Sequence, residues 1–200
     1  LRGMEYISTR NEKKIHSFKE VFLKGLADDG GLFVPKKIPK FTKDDLKSFK
    51  NLTYNELATK IILKFCSDEF DEKTIKEIIN KSYKKFRVKN IVEIRKLGKI
   101  NLLELFHGPT LAFKDIAMQV IGNMYEKILK KNNQKINVIV ATSGDTGGAA
   151  INAIKDRDNM KIFVLHPENK ISEVQRKFMT TTNSKNVFNI ALSGNFLSEI

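Results

Sequence analysis

Two stretches decide how the second half of the chain folds: FHGPTLAFKD at residues 106–115 and NVIVATSGDTGG at residues 137–148. The second stretch joins an apolar run to a glycine-rich turn, and the alanine-rich segment AAINAIKD follows the turn directly. An apolar run, a turn and a helical segment are the parts of a strand–turn–helix unit. The pattern continues with KIFVLH, ISEVQRKFM and VFNIAL, which predicts a parallel sheet whose strands are covered by helices on both faces.

The first stretch leads into a long helix. Apolar residues recur at helical spacing from Ala117 to Leu129, and the turn at residues 108–110 provides the entry. Lys114 and Asp115 therefore lie at the start of this helix.

The first half of the chain is predicted to be mostly helical, with short extended pieces. Ser17 with Glu20, and Thr53 with Glu56, have the spacing of capping boxes ahead of apolar residues at helical intervals. The segment GLFVP, at residues 31–35, follows a glycine turn and is expected to be extended.

The predicted secondary structure changes near residue 90, from helices to short strands. There IVEI and INLLELF predict two short strands, with a turn between them at Gly98. We expect a mostly helical amino-terminal domain at residues 1–95 and an α/β domain with an incomplete parallel sheet at residues 96–200.

The composition excludes several classes of protein. One cysteine, Cys66, rules out an intramolecular disulfide and fits a reducing compartment. No apolar run approaches the roughly 20 residues that cross a bilayer, and the first residues lack the apolar centre of a secretory signal. We expect a cytoplasmic protein with no membrane partner.

The formal charge of +13 makes anions natural partners but does not choose among them. The lysines are scattered over the polar faces of patterned helices, and neither an aromatic–basic motif nor a paired Cys/His zinc spacing occurs. Nucleic-acid binding is therefore not predicted.

The turn SGDTGG has a position that suits an anion. At a strand-to-helix junction, free backbone amides and the positive end of the helix dipole face outward. Ser143 and Thr146 add hydroxyl groups, while Gly144 and Gly147 permit close approach to the backbone. The spacing is not GxGxxG, and no lysine follows Gly148, which excludes the dinucleotide and phosphate-loop motifs. A turn that only caps the helix explains these residues equally well.

Lys114 is a candidate nucleophile. Its neighbours Ala112, Phe113 and Ile116 predict apolar surroundings, which favour the neutral amine that Schiff-base chemistry needs. The plainer alternative is a helix-starting lysine paired with Asp115 or with solvent. His107 leaves a similar choice open, between a proton carrier and a residue that orders the loop.

Together, FHGPTLAFKD and ATSGDTGGAA resemble the threonine synthases of the fold-type II pyridoxal-phosphate family. The resemblance continues backwards through SFKEVFLKGLADDGGLFVPKKIP and forwards through LHPENKISEVQRKFM, in the same order. It implies a three-layer, tryptophan synthase β-like α/β domain.

The resemblance also implies a function: conversion of O-phospho-L-homoserine and water to L-threonine and phosphate. Lys114 would bind pyridoxal phosphate covalently and exchange protons with the α and β carbons of the substrate. Phe113 would pack beside the cofactor ring. The residues expected to face the cofactor and the substrate carboxylate are Ser143, Gly144, Asp145, Thr146 and Gly147.

The chain departs from the family in length. Members are more than twice as long, and their second half supplies the glycine-rich loop for the cofactor phosphate. We expect an amino-terminal portion whose partner is the missing carboxy-terminal half, and expect Ser193–Asn195 to be a strand-to-helix turn rather than that loop. The alternative is a degenerate or truncated relative that acts as a folded, non-catalytic interaction protein.

Overall fold

A computed structural model describes residues 3–193 of the chain. These residues divide between Lys81 and Ser82 into two compact units. The division falls earlier than the boundary expected at residue 95. It lies within the helix Glu72–Tyr83, so that Ser82 and Tyr83 belong to the second unit. The domain limits deduced from the sequence stay a prediction.

The first unit combines a small antiparallel sheet with helices. The sheet has the strand order β2–β1–β3. The elements are β1 (Tyr6–Ser8), β2 (Asn11–His16), α1 (Phe18–Lys24), β3 (Phe33–Pro35), α2 (Lys43–Phe49), α3 (Tyr54–Cys66) and α4 (Glu72–Tyr83).

The two predicted helix starts differ in how completely they are capped. At α3, the Thr53 hydroxyl accepts the Glu56 amide at 3.3 Å, and the Glu56 carboxylate accepts the Thr53 amide at 2.8 Å, which confirms the capping box. At α1, Ser17 accepts the Glu20 amide, but the Glu20 carboxylate lies 2.6 Å from Nδ1 of His16 instead. The capping box predicted at Ser17 is therefore only half formed.

Cys66 ends α3 and is completely buried. Its Sγ donates to the carbonyl oxygen of Ile62 at 3.2 Å. Burial, with a smaller contribution from the charge of Asp68, raises the pKa of the thiol to about 12. The residue is a packed thiol, as its apolar sequence setting suggests.

We predict that Cys66 is inert in the folded chain, because both burial and its high pKa suppress the reactive thiolate. A thiol-reactive dye should label the native chain more slowly than the urea-unfolded chain, by on the order of a hundredfold or more. Labelling at similar rates in the two states would contradict this.

The second unit contains a hairpin followed by alternating strands and helices. Its elements are β4 (Glu93–Leu97), β5 (Ile100–Glu104), α5 (Asp115–Lys131), β6 (Ile136–Ala141), α6 (Asp145–Ile154), β7 (Met160–Pro167), α7 (Glu173–Thr180) and β8 (Val187–Leu192). Strands β4 and β5 pair antiparallel with Leu97 opposite Ile100, so the predicted turn is the two residues Gly98 and Lys99.

Strands β6, β7 and β8 form a parallel sheet in that order, which confirms the α/β class. Helices α6 and α7 cover the face that carries Ile162 and Val164, both fully buried. On the opposite face, Ile139, Phe188 and Ile190 are 72%, 39% and 41% exposed. Within the described residues, helices therefore cover one face of the sheet and not both, so the third layer of the predicted architecture is not seen.

No helix within residues 3–193 combines the length and the apolar character that crossing a membrane requires. Of the turn expected at Ser193–Asn195, only Ser193 belongs to the described residues.

Candidate active site

Helices α5 and α6 pack side by side and run in the same direction. Near the start of α5, Nε2 of Gln119 donates to Oδ1 of Asn152 at 3.0 Å. Further along, Glu126 forms an ion pair with Arg157, just beyond α6. Because the contacts advance together along both segments, the two helices begin at the same end of the second unit.

The two stretches singled out in the sequence therefore lie at one end of the unit. Lys114 is the N-cap residue of α5, and Gly144 is the N-cap residue of α6. Burial raises the pKa of Asp115, and the negative charge of Asp145 adds to that rise. The electrostatic interaction between these two carboxylates is a second sign that the helix starts are close.

Thr142, which no sequence pattern marked as a site residue, organises the glycine-rich turn. Its buried hydroxyl accepts the amides of Gly144 at 2.9 Å and Gly147 at 3.0 Å. Of the amides in this turn, those two are thus already bonded within the chain. Within the described residues, the amides of Asp145 and Thr146 have no hydrogen-bond acceptor, so both are available to an anion.

The five predicted residues of the turn differ in exposure. Ser143 and Asp145 are exposed, Thr146 is half-buried, and Gly144 and Gly147 are buried. The exposed hydroxyl of Ser143 is therefore available to a ligand, whereas the glycines act by leaving space for neighbouring side chains.

Gln175 of α7 fixes one side of the turn. Its Nε2 donates to Oδ1 of Asp145 at 2.8 Å, while its Oε1 accepts the hydroxyl of Ser172 at 2.9 Å. Gly144 has φ 145°, and a Cβ there would lie 2.5 Å from the Gln175 side chain. The spacing of Ser172 and Gln175 shows a helix start in the sequence, but not the bond to Asp145.

Neighbouring glycines in α6 predict opposite effects of alanine. A Cβ at Gly147 would lie 2.6 Å from Sδ of Met179 and from Cγ2 of Thr142, so Gly147→Ala should destabilise the chain by about 1–3 kcal/mol. A Cβ at Gly148 would meet Cβ of Phe178 at an ordinary 3.5 Å, so Gly148→Ala should stabilise it by up to about 1 kcal/mol. Urea unfolding measures both effects, and equal changes would contradict the packing described.

Lys114 does not have the apolar enclosure that its sequence neighbours predict. It is half-buried, and its Nζ lies 4.4 Å from the centre of the Phe113 ring, which is itself 57% exposed. Ala112 is buried, whereas Phe113 faces solvent, so residues adjacent in sequence do not surround the amine. The contact is a partly solvated cation–π pair.

His107 orders the loop that leads to Lys114. Its Nε2 lies 3.0 Å from Glu104, and its carbonyl oxygen accepts the amide of Arg87 at 2.9 Å. Glu93, Glu104 and His107 are close enough to hold a metal ion. However, Nε of Arg95 lies 2.7 Å from Glu104, so this guanidinium already supplies the balancing positive charge. Of the two interpretations of His107, the geometry favours loop ordering.

Asp115 is fully buried directly after Lys114. Its carboxylate accepts the amide and the hydroxyl of Thr110, each at 2.7 Å. Burial raises the pKa of Asp115, although the hydrogen bonds from Thr110 oppose the shift. The sequence placed Asp115 at the helix start but gave no sign of its partner.

The raised pKa predicts how stability depends on pH. The contribution of Asp115 to stability is complete at pH values below its unfolded-state pKa and is lost as the pH rises through its higher folded-state pKa. Asp115→Asn does not titrate and retains groups that can bond Thr110. Its melting temperature, relative to that of the native chain, should therefore increase from about pH 3 to pH 8.

Circular-dichroism melts over this pH range provide the measurement. Thr110→Ser, which keeps the carboxylate and its hydroxyl partner, should retain the native pH dependence. A relative melting temperature of Asp115→Asn that fell with increasing pH would show that the sign is wrong.

Comparison with known proteins shows which family this chain is similar to. A family profile described as threonine synthase N terminus matches residues 5–83. Threonine synthase from Pseudomonas aeruginosa is 44% identical over 194 residues, which cover 96% of this chain and 41% of that protein.

Two solved structures cover nearly the whole chain. The crystal structure of threonine synthase from Brucella melitensis with pyridoxal phosphate bound has a TM-score of 0.90 and 38% identity, over 97% of this chain and 42% of that one. The yeast threonine synthase structure has a TM-score of 0.90 and 37% identity, over 97% and 41% of the respective chains.

The second unit thus has the α/β parallel-sheet architecture of the fold-type II pyridoxal-phosphate enzymes. Within that class, the chain is homologous to the threonine synthases and corresponds to their amino-terminal portion, as the sequence resemblance indicated. It spans 41% and 40% of the lengths of the curated relatives from Pseudomonas aeruginosa and Eremothecium gossypii.

Proposed function

We propose that this chain is the amino-terminal part of a threonine synthase, which converts O-phospho-L-homoserine and water to L-threonine and phosphate. One observation carries the proposal: a lysine and a turn with free amides lie at the starts of two parallel, packed helices. The homology to threonine synthases supports it. The conversion belongs to the carbon–oxygen lyase class.

The described residues fit one side of a pocket for pyridoxal phosphate. The amine of Lys114 can bond its aldehyde carbon, and Phe113 offers an exposed aromatic face beside that amine. When bound, the cofactor supplies an electron sink for negative charge that develops on the substrate carbons.

Lys114 would serve as the acid–base residue of the reaction. An amine at this position can take a proton from the α carbon of the substrate and can return protons to the substrate carbons. Its place at the N-cap, with no hydrogen bond from the side chain to the helix, leaves the amine available for this role.

The turn from Ser143 to Gly147 would bind the substrate carboxylate. The unbonded amides of Asp145 and Thr146 and the exposed hydroxyl of Ser143 are suitable donors. The positive end of the α6 dipole adds to the attraction. Asp145 itself is held by Gln175, which keeps its carboxylate hydrogen-bonded within the protein.

The groups that hold the cofactor phosphate are proposed to lie outside these 200 residues, in a carboxy-terminal portion that acts as the partner of this chain. Support comes from the greater length of the relatives. We propose no role for nucleic acid or a membrane, and the cytoplasmic location expected from the sequence stays a prediction.

Borohydride trapping of pyridoxal phosphate, followed by peptide mapping, tests the proposal. We expect the label on Lys114, because this lysine and the turn lie at the same end of the two packed helices. In Lys114→Ala the label should be lost, whereas Lys130→Ala, which removes an exposed amine from the far end of the same helix, should leave labelling at Lys114 intact. Label that prefers any other lysine would overturn the assignment.

The isolated chain is expected to bind the cofactor weakly and to form no threonine, because half of the pocket is supplied elsewhere. An assay for threonine from O-phospho-L-homoserine checks this. Joining the chain to the carboxy-terminal portion of the Pseudomonas aeruginosa enzyme should restore activity that depends on Lys114. Threonine formation by the isolated chain would contradict the divided pocket.

A further inference from the structure

Asp115 is an ionisable side chain in an unusual position. It is fully buried, and in the described part of the chain its carboxylate is bonded by neutral groups, the amide and hydroxyl of Thr110 and the backbone of Ala112, rather than by a cation. Burying a carboxylate on neutral donors alone is costly. Packing alone would be served as well by an uncharged side chain, so a more specific role is indicated.

The loop before Lys114 is built around this carboxylate. A Cβ at Gly108 would lie 2.5 Å from both Cβ and Oδ2 of Asp115, so the backbone passes directly over the side chain. The amide of Asp115 donates back to Ala112 at 3.0 Å. The segment from Gly108 to Ala112 is therefore wrapped around Asp115 and bonded to it at two places.

The same loop contains a strained residue. Leu111 has φ 63°, a left-handed conformation that costs a residue with a side chain roughly 1 kcal/mol or more. Such a conformation persists only where surrounding contacts enforce it, and the two bonds between Asp115 and Thr110 enclose it. Lys114 lies between this strained turn and the helix, so both sides restrict its direction.

We propose that Asp115 is a positioning residue for Lys114: by binding Thr110 it holds the turn that directs the lysine side chain toward the start of α6. The inference rests on the proposed function, in which Lys114 bonds the cofactor. It concerns the orientation of the amine and adds no group that touches the substrate.

The variants separate positioning from general stability. Asp115→Ala removes both hydrogen bonds from Thr110 to residue 115. Thr110→Val removes only the one donated by the Thr110 hydroxyl. Asp115→Asn can still accept the Thr110 amide and donate to its hydroxyl, and Thr110→Ser keeps both donors. Asp115→Asn is therefore the control for Asp115→Ala, and Thr110→Ser is the control for Thr110→Val.

The first measurement is the ratio of trapped pyridoxal phosphate at Lys114 to that at Lys130 in the 200-residue chain. Both lysines belong to the α5 region, so the ratio corrects for concentration and reagent. We expect Asp115→Ala to lower it about tenfold, Thr110→Val to lower it less, and Asp115→Asn and Thr110→Ser to keep it within about twofold. If all variants share the native ratio, the inference is wrong while the proposed function stands.

The second measurement is the NMR ring-current shift that Phe113 imposes on the side-chain protons of Lys114, whose Nζ lies 4.4 Å from the ring centre. It should be lost in Asp115→Ala and kept in Asp115→Asn. If the native chain shows no preference for Lys114 in trapping, the proposed function fails and this shift alone decides the positioning role. An unchanged ring-current shift in Asp115→Ala would overturn the positioning role of Asp115. If Asp115→Ala does not fold, comparison of Thr110→Val with Thr110→Ser provides the same test.

Discussion

The close packing of α5 on α6 is the constraint on which the candidate site depends. A Cβ at Gly122 would lie 2.7 Å from the carbonyl oxygen of Ala153, so only glycine allows the helices to approach this far. Around that contact, Gln119 donates to Asn152 and Asn123 accepts from Arg157, and these bonds align the two segments. Since the helices run in the same direction, one packing contact places the two segments of the candidate site at the same end of the unit, although they are far apart in the chain.

Buried polar contacts then shape each segment. Thr142 holds the turn before α6 through two backbone amides, and Asp115 holds the turn before α5 through Thr110. In both cases, one buried side chain immediately next to a predicted site residue fixes the backbone of the neighbouring loop. The proposed ligand-binding residues are therefore held in place by neighbouring buried side chains.

The sequence predicted those features that depend on local patterns. The strand–turn–helix units, the hairpin turn at Gly98 and the capping box at Thr53 follow from periodicity and spacing, and all are present. The position of Lys114 at a helix start was predicted in the same way.

Features that depend on side-chain direction could not be predicted. The Glu20 carboxylate had two acceptable partners and bonds His16 rather than the backbone, a choice that the spacing of the capping box does not settle. The prediction of apolar surroundings for Lys114 was wrong for a related reason: its apolar neighbours in sequence point to different sides of a turn. The partners of Thr142 and Asp115 depend on a backbone path that spacing alone does not describe.

Among residues 3–193, the face of the parallel sheet that carries Ile139 and Phe188 is open to water, which favours association between copies of this chain. Exposed apolar surfaces associate through the hydrophobic effect. This association weakens on cooling and strengthens with sulfate or phosphate salts. We therefore expect low temperature and chloride buffers to weaken this association, and ammonium sulfate or warming to strengthen it.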